Sequence, residues 1–320
     1  MDFWAKLQPV FIVFSAFAGI FIGKSFPGIE QNAGKSVEWF LVLMLFFVFL
    51  NVKMREIARS FSDLRFSASA LLINFVFTPL YAFALSKVFF AGRIDLQIGF
   101  IMLLVTPCTD WYLVFTGTAH GNVPLGASIL PLNLVLQILL LPVYLVVCMG
   151  TAVSFEISAI IRGIVFVLIL PLGSATLVKL WGHTHKRKMY LDAVLKKADT
   201  VQFALLCLAI LAMFASQGTL LLDNVAVFIQ LLPPLALFFA VIFCVSFFTG
   251  KLLKLPFTNI IPLIFTTSAR NSPVSLAIAA ITFPVQPLVS LVLVMGPLIE
   301  LPVLAVNSLL LRRIGRRPNA

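Results

Sequence analysis

Thr106-Pro107-Cys108-Thr109-Asp110 and Thr266-Thr267-Ser268-Ala269-Arg270-Asn271-Ser272-Pro273 each interrupt a long apolar run, and their starting positions differ by 160 residues. Each sets a proline among polar groups about halfway along a segment that otherwise suits hydrocarbon. A proline removes a backbone hydrogen bond, and irregular backbone at membrane depth is tolerated only against protein or a water-filled cavity. The two stretches are therefore predicted to break their helices near 106 to 110 and 266 to 273 and to face each other at mid-membrane.

The rest of the chain sets this in a membrane. Of its 320 residues 61% are hydrophobic and 11% charged, where a soluble domain has about 45 to 50% and about 25%. Mean hydropathy is +1.09, and phenylalanine occurs 32 times. A water-soluble globule is excluded, and each spanning helix needs about 20 apolar residues. Apolar runs between charge clusters predict ten spans: 7 to 26, 37 to 52, 66 to 90, 96 to 118, 124 to 149, 160 to 181, 201 to 217, 225 to 250, 257 to 283 and 286 to 311. The expected fold class is an all-α membrane protein with residues 1–320 as a single integral domain.

Net charge is +11, but the basic residues fall in the loops that flank the spans, which argues for topology and anionic lipid rather than nucleic acid. Alternate connections and the span ends beside them hold 17 and 5 of the 23 Lys and Arg, with Arg270 alone well inside a span. The positive-inside rule then places both termini in the cytoplasm, in an inner (cytoplasmic) membrane. Cys108, Cys148, Cys207 and Cys244 lie in apolar stretches without paired loop spacing, so thiols are expected rather than disulfides or a zinc framework.

The longest connection, 182 to 200, divides the spans five and five. At the 160 offset Leu103-Leu104-Val105-Thr106 falls on Leu263-Ile264-Phe265-Thr266, and Leu141-Pro142-Val143 on Leu301-Pro302-Val303. With a five-residue gap Phe11 and Lys24 fall on Phe166 and Lys179. This order predicts repeat one over about 1–150 and repeat two over about 160–320. An odd number of spans per half inverts the second copy, the architecture of secondary transporters, whose substrate sites lie near the midplane between broken helices.

Three charged residues lie well inside spans: Asp110, Arg270 and Glu300. Asp110 and Arg270 are mates at the 160 offset and are expected to pair, as a structural bridge or as coupling groups, since a lone intramembrane charge is costly. Glu300 falls on Leu140 and has no acidic mate; a carboxyl group in hydrocarbon suits a proton carrier or a structural hydrogen bond. Cys108 differs from the other cysteines by following a proline into a polar run. Asn133 and Gln137 of span five and Asn271 of span nine either line the same cavity or make ordinary interhelical hydrogen bonds.

These residues resemble the arsenical-resistance (arsenite efflux) transporters, relatives of the bile acid/sodium symporters. Pro107-Cys108-Thr109 looks like that family's Pro-Cys-Thr with its substrate cysteine. Gly296-Pro297-Leu298-Ile299-Glu300-Leu301-Pro302-Val303 looks like its Gly-x-Leu-Val-Glu-Val-Pro-Val segment with the functional glutamate. Asn133 resembles a fifth-span asparagine, and Asn271 with Leu276-Ala277-Ile278 resembles a Ser-Asn-x-x-Glu-Leu-Ala segment. Asp110 and Arg270 stand where that family has small residues, and Ser275 where it has a glutamate. The sodium-coupled relatives bind sodium with acidic and amide groups at this crossover, whereas Arg270 puts a fixed positive charge there.

The resemblance implies the bile acid/sodium symporter fold and proton-coupled efflux of arsenite or antimonite. Cys108, Thr106, Thr109, Asn133, Ser268, Asn271 and Ser272 are the expected substrate-binding residues, with Cys108 as soft ligand to the arsenic. Glu300, Asp110 and Arg270 are the expected coupling groups, with protons favoured over sodium. An ion-coupled carrier of a small organic anion, drawn by Arg270 and the broken-helix N-termini, is the alternative. No cofactor is expected. The sequence has no Ser-His-Asp set, HExxH or Walker motif, so an enzyme is not expected either; a channel would not need an inverted crossover.

Overall fold

A computed structural model describes residues 3–26, 28–51, 63–108, 111–149, 165, 169–182, 188–283 and 285–315. Among the described residues the regular elements are helices, joined at one point by an isolated antiparallel bridge between Pro107 and Arg270. Five of them are long and apolar enough to cross a membrane: Leu64–Phe89, Val123–Cys148, Ala193–Ser216, Val225–Leu252 and Pro287–Gly315. The protein is an integral membrane protein of helices.

The chain folds into two compact units. One comprises Met1–Lys53, Phe155–Val225 and Leu276–Pro287, the other Met54–Ser154, Ala226–Ser275 and Leu288–Ala320. Each therefore draws segments from both halves of the sequence.

In the first unit, α1 (Phe3–Ser25), α2 (Ile29–Asn51), α7 (Leu170–Gly182) and α8 (Lys188–Asp223) pack together. Small residues bring α1 and α8 into backbone contact. A Cβ on Gly19 would strike the Leu211 carbonyl, and one on Gly23 the Ala215 carbonyl. Between α1 and α2 Gly28 takes φ +97, a conformation open to glycine because it lacks a Cβ.

The 182 to 200 connection differs from expectation: α8 starts at Lys188 and runs 36 residues, well beyond the apolar run at 201 to 217. Hydropathy marks the part that suits lipid, whereas Lys, Leu, Ala and Met continue a helix into water on propensity. α2 likewise starts eight residues before its predicted span, through the polar turn that holds Glu30, Gln31 and Asn32. Of the sixth span, 160 to 181, the part before 169 lies outside the described residues except for 165.

The second unit holds α3 (Leu64–Phe89), α4 (Ile94–Leu104), α5 (Trp111–Thr118), α6 (Val123–Met149), α9 (Val225–Leu252), α10 (Phe257–Ser268), the first residues of α11 (Ser272–Thr282) and α12 (Pro287–Gly315). α10 packs against α3, α5 and α6. α3 carries a π turn at Ile73–Phe77, closed by the Thr78 N–H on the Ile73 carbonyl. Pro79 has no N–H for the Phe75 carbonyl, and the Tyr144 hydroxyl of α6 donates to it instead at 2.7 Å.

Candidate functional site

The helices are interrupted within the polar stretches. α4 ends at Leu104 and α5 starts at Trp111, while α10 ends at Ser268 and α11 starts at Ser272. The second interruption is shorter than predicted. Thr266, Thr267 and Ser268 remain helical; a threonine hydroxyl need not leave the helix to find a partner, and Thr267 Oγ1 donates back to the Leu263 carbonyl at 2.8 Å. Pro273 sits in the first turn of α11, where a missing N–H is no loss.

The two interruptions pair with each other. The Cys108 N–H donates to the Ala269 carbonyl at 2.9 Å, and the Asn271 N–H to the Thr106 carbonyl at 2.7 Å. These bonds flank the Pro107 and Arg270 bridge, so irregular backbone at this depth is satisfied by irregular backbone from the other helix.

Most of the last carbonyls of the half-helices find partners as well. In α4, Ile101 O accepts from the Val105 N–H at 2.9 Å, and Met102 O from the Thr106 hydroxyl at 3.0 Å and the Ser275 hydroxyl at 2.9 Å. Leu104 O accepts from Arg270 Nη1 at 2.6 Å. In α10, Phe265 O takes the Ala269 N–H at 3.0 Å, Thr266 O takes Asn74 Nδ2 at 3.2 Å, and Ser268 O takes Arg270 Nε at 3.1 Å.

Arg270 is 2% exposed and Glu300 3% exposed. Glu300, on α12, accepts the backbone N–H of Arg270 through Oε1 at 2.9 Å. It is therefore not the isolated carboxylate its sequence position suggests, because the bridge leaves that N–H facing α12. Asp110, the expected partner of Arg270, and Thr109 lie outside the described residues.

Cys108 is 1% exposed, while Cys148 and Cys207 are half-buried and Cys244 is exposed. Asn133 is buried and donates through Nδ2 to Thr266 Oγ1 at 3.0 Å, and Asn271 caps α11 by accepting the Val274 N–H through Oδ1 at 3.3 Å. Thr106 Oγ1 and Ser275 Oγ lie 2.7 Å apart. Among the described residues, Asn133 Oδ1, both polar atoms of Gln137, Ser268 Oγ and Ser272 Oγ are buried without a hydrogen-bond partner. Buried polar atoms in this state are costly unless something else, such as a cargo, satisfies them. Next to Ser272, a Cβ on Gly296 would lie 2.5 Å from Leu103 Cδ1 and 3.2 Å from Ser272 Oγ, so α12 packs closely on these two side chains.

Sequence reasoning missed three contributors. Asn74 joins Thr266 O to Arg270, accepting from Nη2 at 3.5 Å. The Phe238 ring centroid lies 5.1 Å from the Arg270 guanidinium carbon. Ser246 Oγ and Thr267 Oγ1 lie 2.6 Å apart. An amide between Ile73 and Phe75 in an apolar span was a signal for Asn74; Phe238 and Ser246 carry none that separates them from ordinary packing.

With this geometry in place, comparison with known proteins decides the family. A family model described as "Sodium Bile acid symporter family" matches residues 39–224, more than half of the chain. The chain belongs to that family. Across 95% of its length it is 23% identical to the arsenical-resistance protein Acr3 of Corynebacterium glutamicum, covering 87% of that protein. It is 20% identical to Acr3 of Alkaliphilus metalliredigens over 95% of the chain and 91% of that protein. The uncharacterized protein YbaS of Bacillus subtilis is 23% identical over 97% of the chain and 98% of its own length. The protein is thus a divergent membrane transporter of the symporter family with arsenical-resistance relatives.

Proposed function

We propose that this protein is a secondary active transporter that exports trivalent arsenic or antimony from the cytoplasm in exchange for protons. The observation that carries the reading is that two segments are tied to adjacent residues of the same extended turn: the backbone N–H of Cys108 donates to the Ala269 carbonyl, and Glu300 accepts the backbone N–H of Arg270. This supports a reading in which the segments that carry a thiol and a carboxyl group belong to one crossover. One thiolate with oxygen donors binds trivalent arsenic yet releases it, whereas three thiolates would retain it. The unpartnered amide and hydroxyl atoms of Asn133, Ser268 and Ser272 suit the hydroxyl groups of a neutral arsenous or antimonous acid. Thr106, Thr109 and Asn271 complete the proposed binding set, with Asp110 and Arg270 beside Glu300 in coupling.

The reading includes ten spans in two inverted five-helix repeats, about 1–150 and about 160–320, within one transporter domain whose termini are cytoplasmic. Supporting it, Cys108 bonds to Ala269, the immediate neighbour of its 160-offset mate Ser268, as expected if a two-fold axis passes through the crossing. The organic-anion reading has weaker support, because Arg270 Nε, Nη1 and Nη2 already donate to protein oxygens.

Everted membrane vesicles supplied externally with arsenite, antimonite or a panel of organic anions, under an imposed pH or sodium gradient, test this. The expected result is arsenite accumulation driven by the pH gradient. Accumulation of an organic anion alone, or under a sodium gradient alone, would overturn it.

A further inference from the structure

The acceptors around the Arg270 side chain come from three elements. Nη1 donates to Leu104 O at 2.6 Å, Nε to Ser268 O at 3.1 Å and Nη2 to Asn74 Oδ1 at 3.5 Å. Leu104 and Ser268 are the last residues of α4 and α10. A helix C-terminus carries a partial negative charge on its unsatisfied carbonyls. Two such ends directed at one buried point call for a positive charge, and at membrane depth it must come from the protein or from a bound ion.

We propose that the Arg270 guanidinium is a resident cation: it fills an oxygen-lined site made by Leu104 O, Ser268 O and Asn74 Oδ1 and holds the crossing helices together without a diffusible inorganic cation. The acceptors are two carbonyls and one amide, neutral groups of the kind that ligate a hard monovalent cation. A planar fork reaches three of them from α3, α4 and α10 at once, which a shorter or rotating head would not. The Phe238 ring adds a fourth favourable surface, since an aromatic face attracts a cation. The carboxylate of Glu300 takes the backbone N–H of the same residue, so the side chain remains committed to the helix ends. A second cation at this point would be repelled by the tethered one. The transport cycle, whatever its cargo, therefore loads no inorganic cation here.

The test is thermal unfolding of the purified full-length protein in detergent, in sodium, potassium and choline chloride at equal ionic strength and with millimolar guanidinium added. The wild type is expected to melt at one temperature in all of them. R270K, which keeps a charge, should melt at least about 3 °C above R270M, which keeps bulk without charge. R270A should be stabilised by guanidinium or sodium relative to choline. A wild-type protein stabilised by sodium over choline, R270M at least as stable as R270K, or R270A indifferent to every cation would each overturn the proposal. If R270A yields no folded protein, the R270K and R270M comparison decides. Because unfolding rather than uptake is measured, the outcome stands apart from the fate of the arsenite reading.

Discussion

The backbone N–H of Arg270 and the Oε1 of Glu300 lie 2.9 Å apart, joining the bridge between two interrupted helices to the middle of α12. A carboxylate accepts such a bond more strongly than a protonated carboxyl group does. Protonation of Glu300 would therefore weaken a contact of the crossover itself, the link on which the proposed proton coupling rests.

Glu300→Gln keeps an oxygen for that N–H but cannot titrate. It should fold with near wild-type thermal stability and lose accumulation driven by a pH gradient in everted vesicles. Glu300→Leu strands the N–H, and a buried unsatisfied donor costs about 1–3 kcal/mol, read as a lower melting temperature. Undiminished proton-driven transport by Glu300→Gln would remove the carboxyl group from the coupling mechanism.

Cys108→Ser should abolish arsenite transport at normal expression, because a hydroxyl is a poor ligand for a soft ion. Cys148, Cys207 and Cys244 changed to Ala should leave uptake largely intact, since none lies in the bridged segment. Arsenite efflux retained by Cys108→Ser would turn attention to the organic-anion alternative.

Gln137 is buried with both polar atoms unpartnered among the described residues. Exchange for methionine removes a burial penalty of about 1–3 kcal/mol, so Gln137→Met should unfold at a higher temperature while transporting more slowly. A gain in stability with unchanged initial rates would show that the amide serves no cargo.

Gly23 and Gly173 offer a contrast within one unit. A Cβ on Gly23 meets the Ala215 carbonyl, part of a backbone that cannot give way locally, whereas nothing lies within 4 Å of a Cβ on Gly173. Gly23→Ala should lower stability by about 1–3 kcal/mol, as overpacking does. Gly173→Ala, in a helix interior, should be neutral or stabilising by up to about 1 kcal/mol. Denaturation of the two variants side by side checks the α1 to α8 contact.

Asp110 and Arg270 can be tested by a double-mutant cycle. Arg270→Gln should lower folded yield by taking the charge from the ends of α4 and α10; the proposed pairing with Asp110 predicts that Asp110→Asn also lowers it and that the double change loses less than the sum of the two. Strictly additive losses would mean that the two sites are independent.

Much of the crossover was legible in the sequence, but proline was not the reason it could be read. Pro131, Pro142, Pro233, Pro234, Pro262, Pro297 and Pro302 all lie inside continuous helices. What separates Pro107 and Pro273 from these is the polar run beside each and its recurrence at a fixed offset. The acid at position 300 could be picked out because a charge in an apolar segment is rare. Its partner could not, since a backbone N–H has no signature in a one-dimensional string.

Composition and periodicity by themselves determined that the chain is a helical membrane protein, where its polar interruptions fall and which thiol stands apart, because transfer to hydrocarbon acts on each segment separately. Only the tertiary structure decided which groups satisfy the broken backbone. Leu104 and Ser268, 164 positions apart, both present their carbonyls to Arg270, and Asn74 arrives from a π turn in a third helix. Such partners are selected by the demand that every buried polar group be satisfied, a demand that applies to neighbours in space and leaves no fixed spacing along the chain.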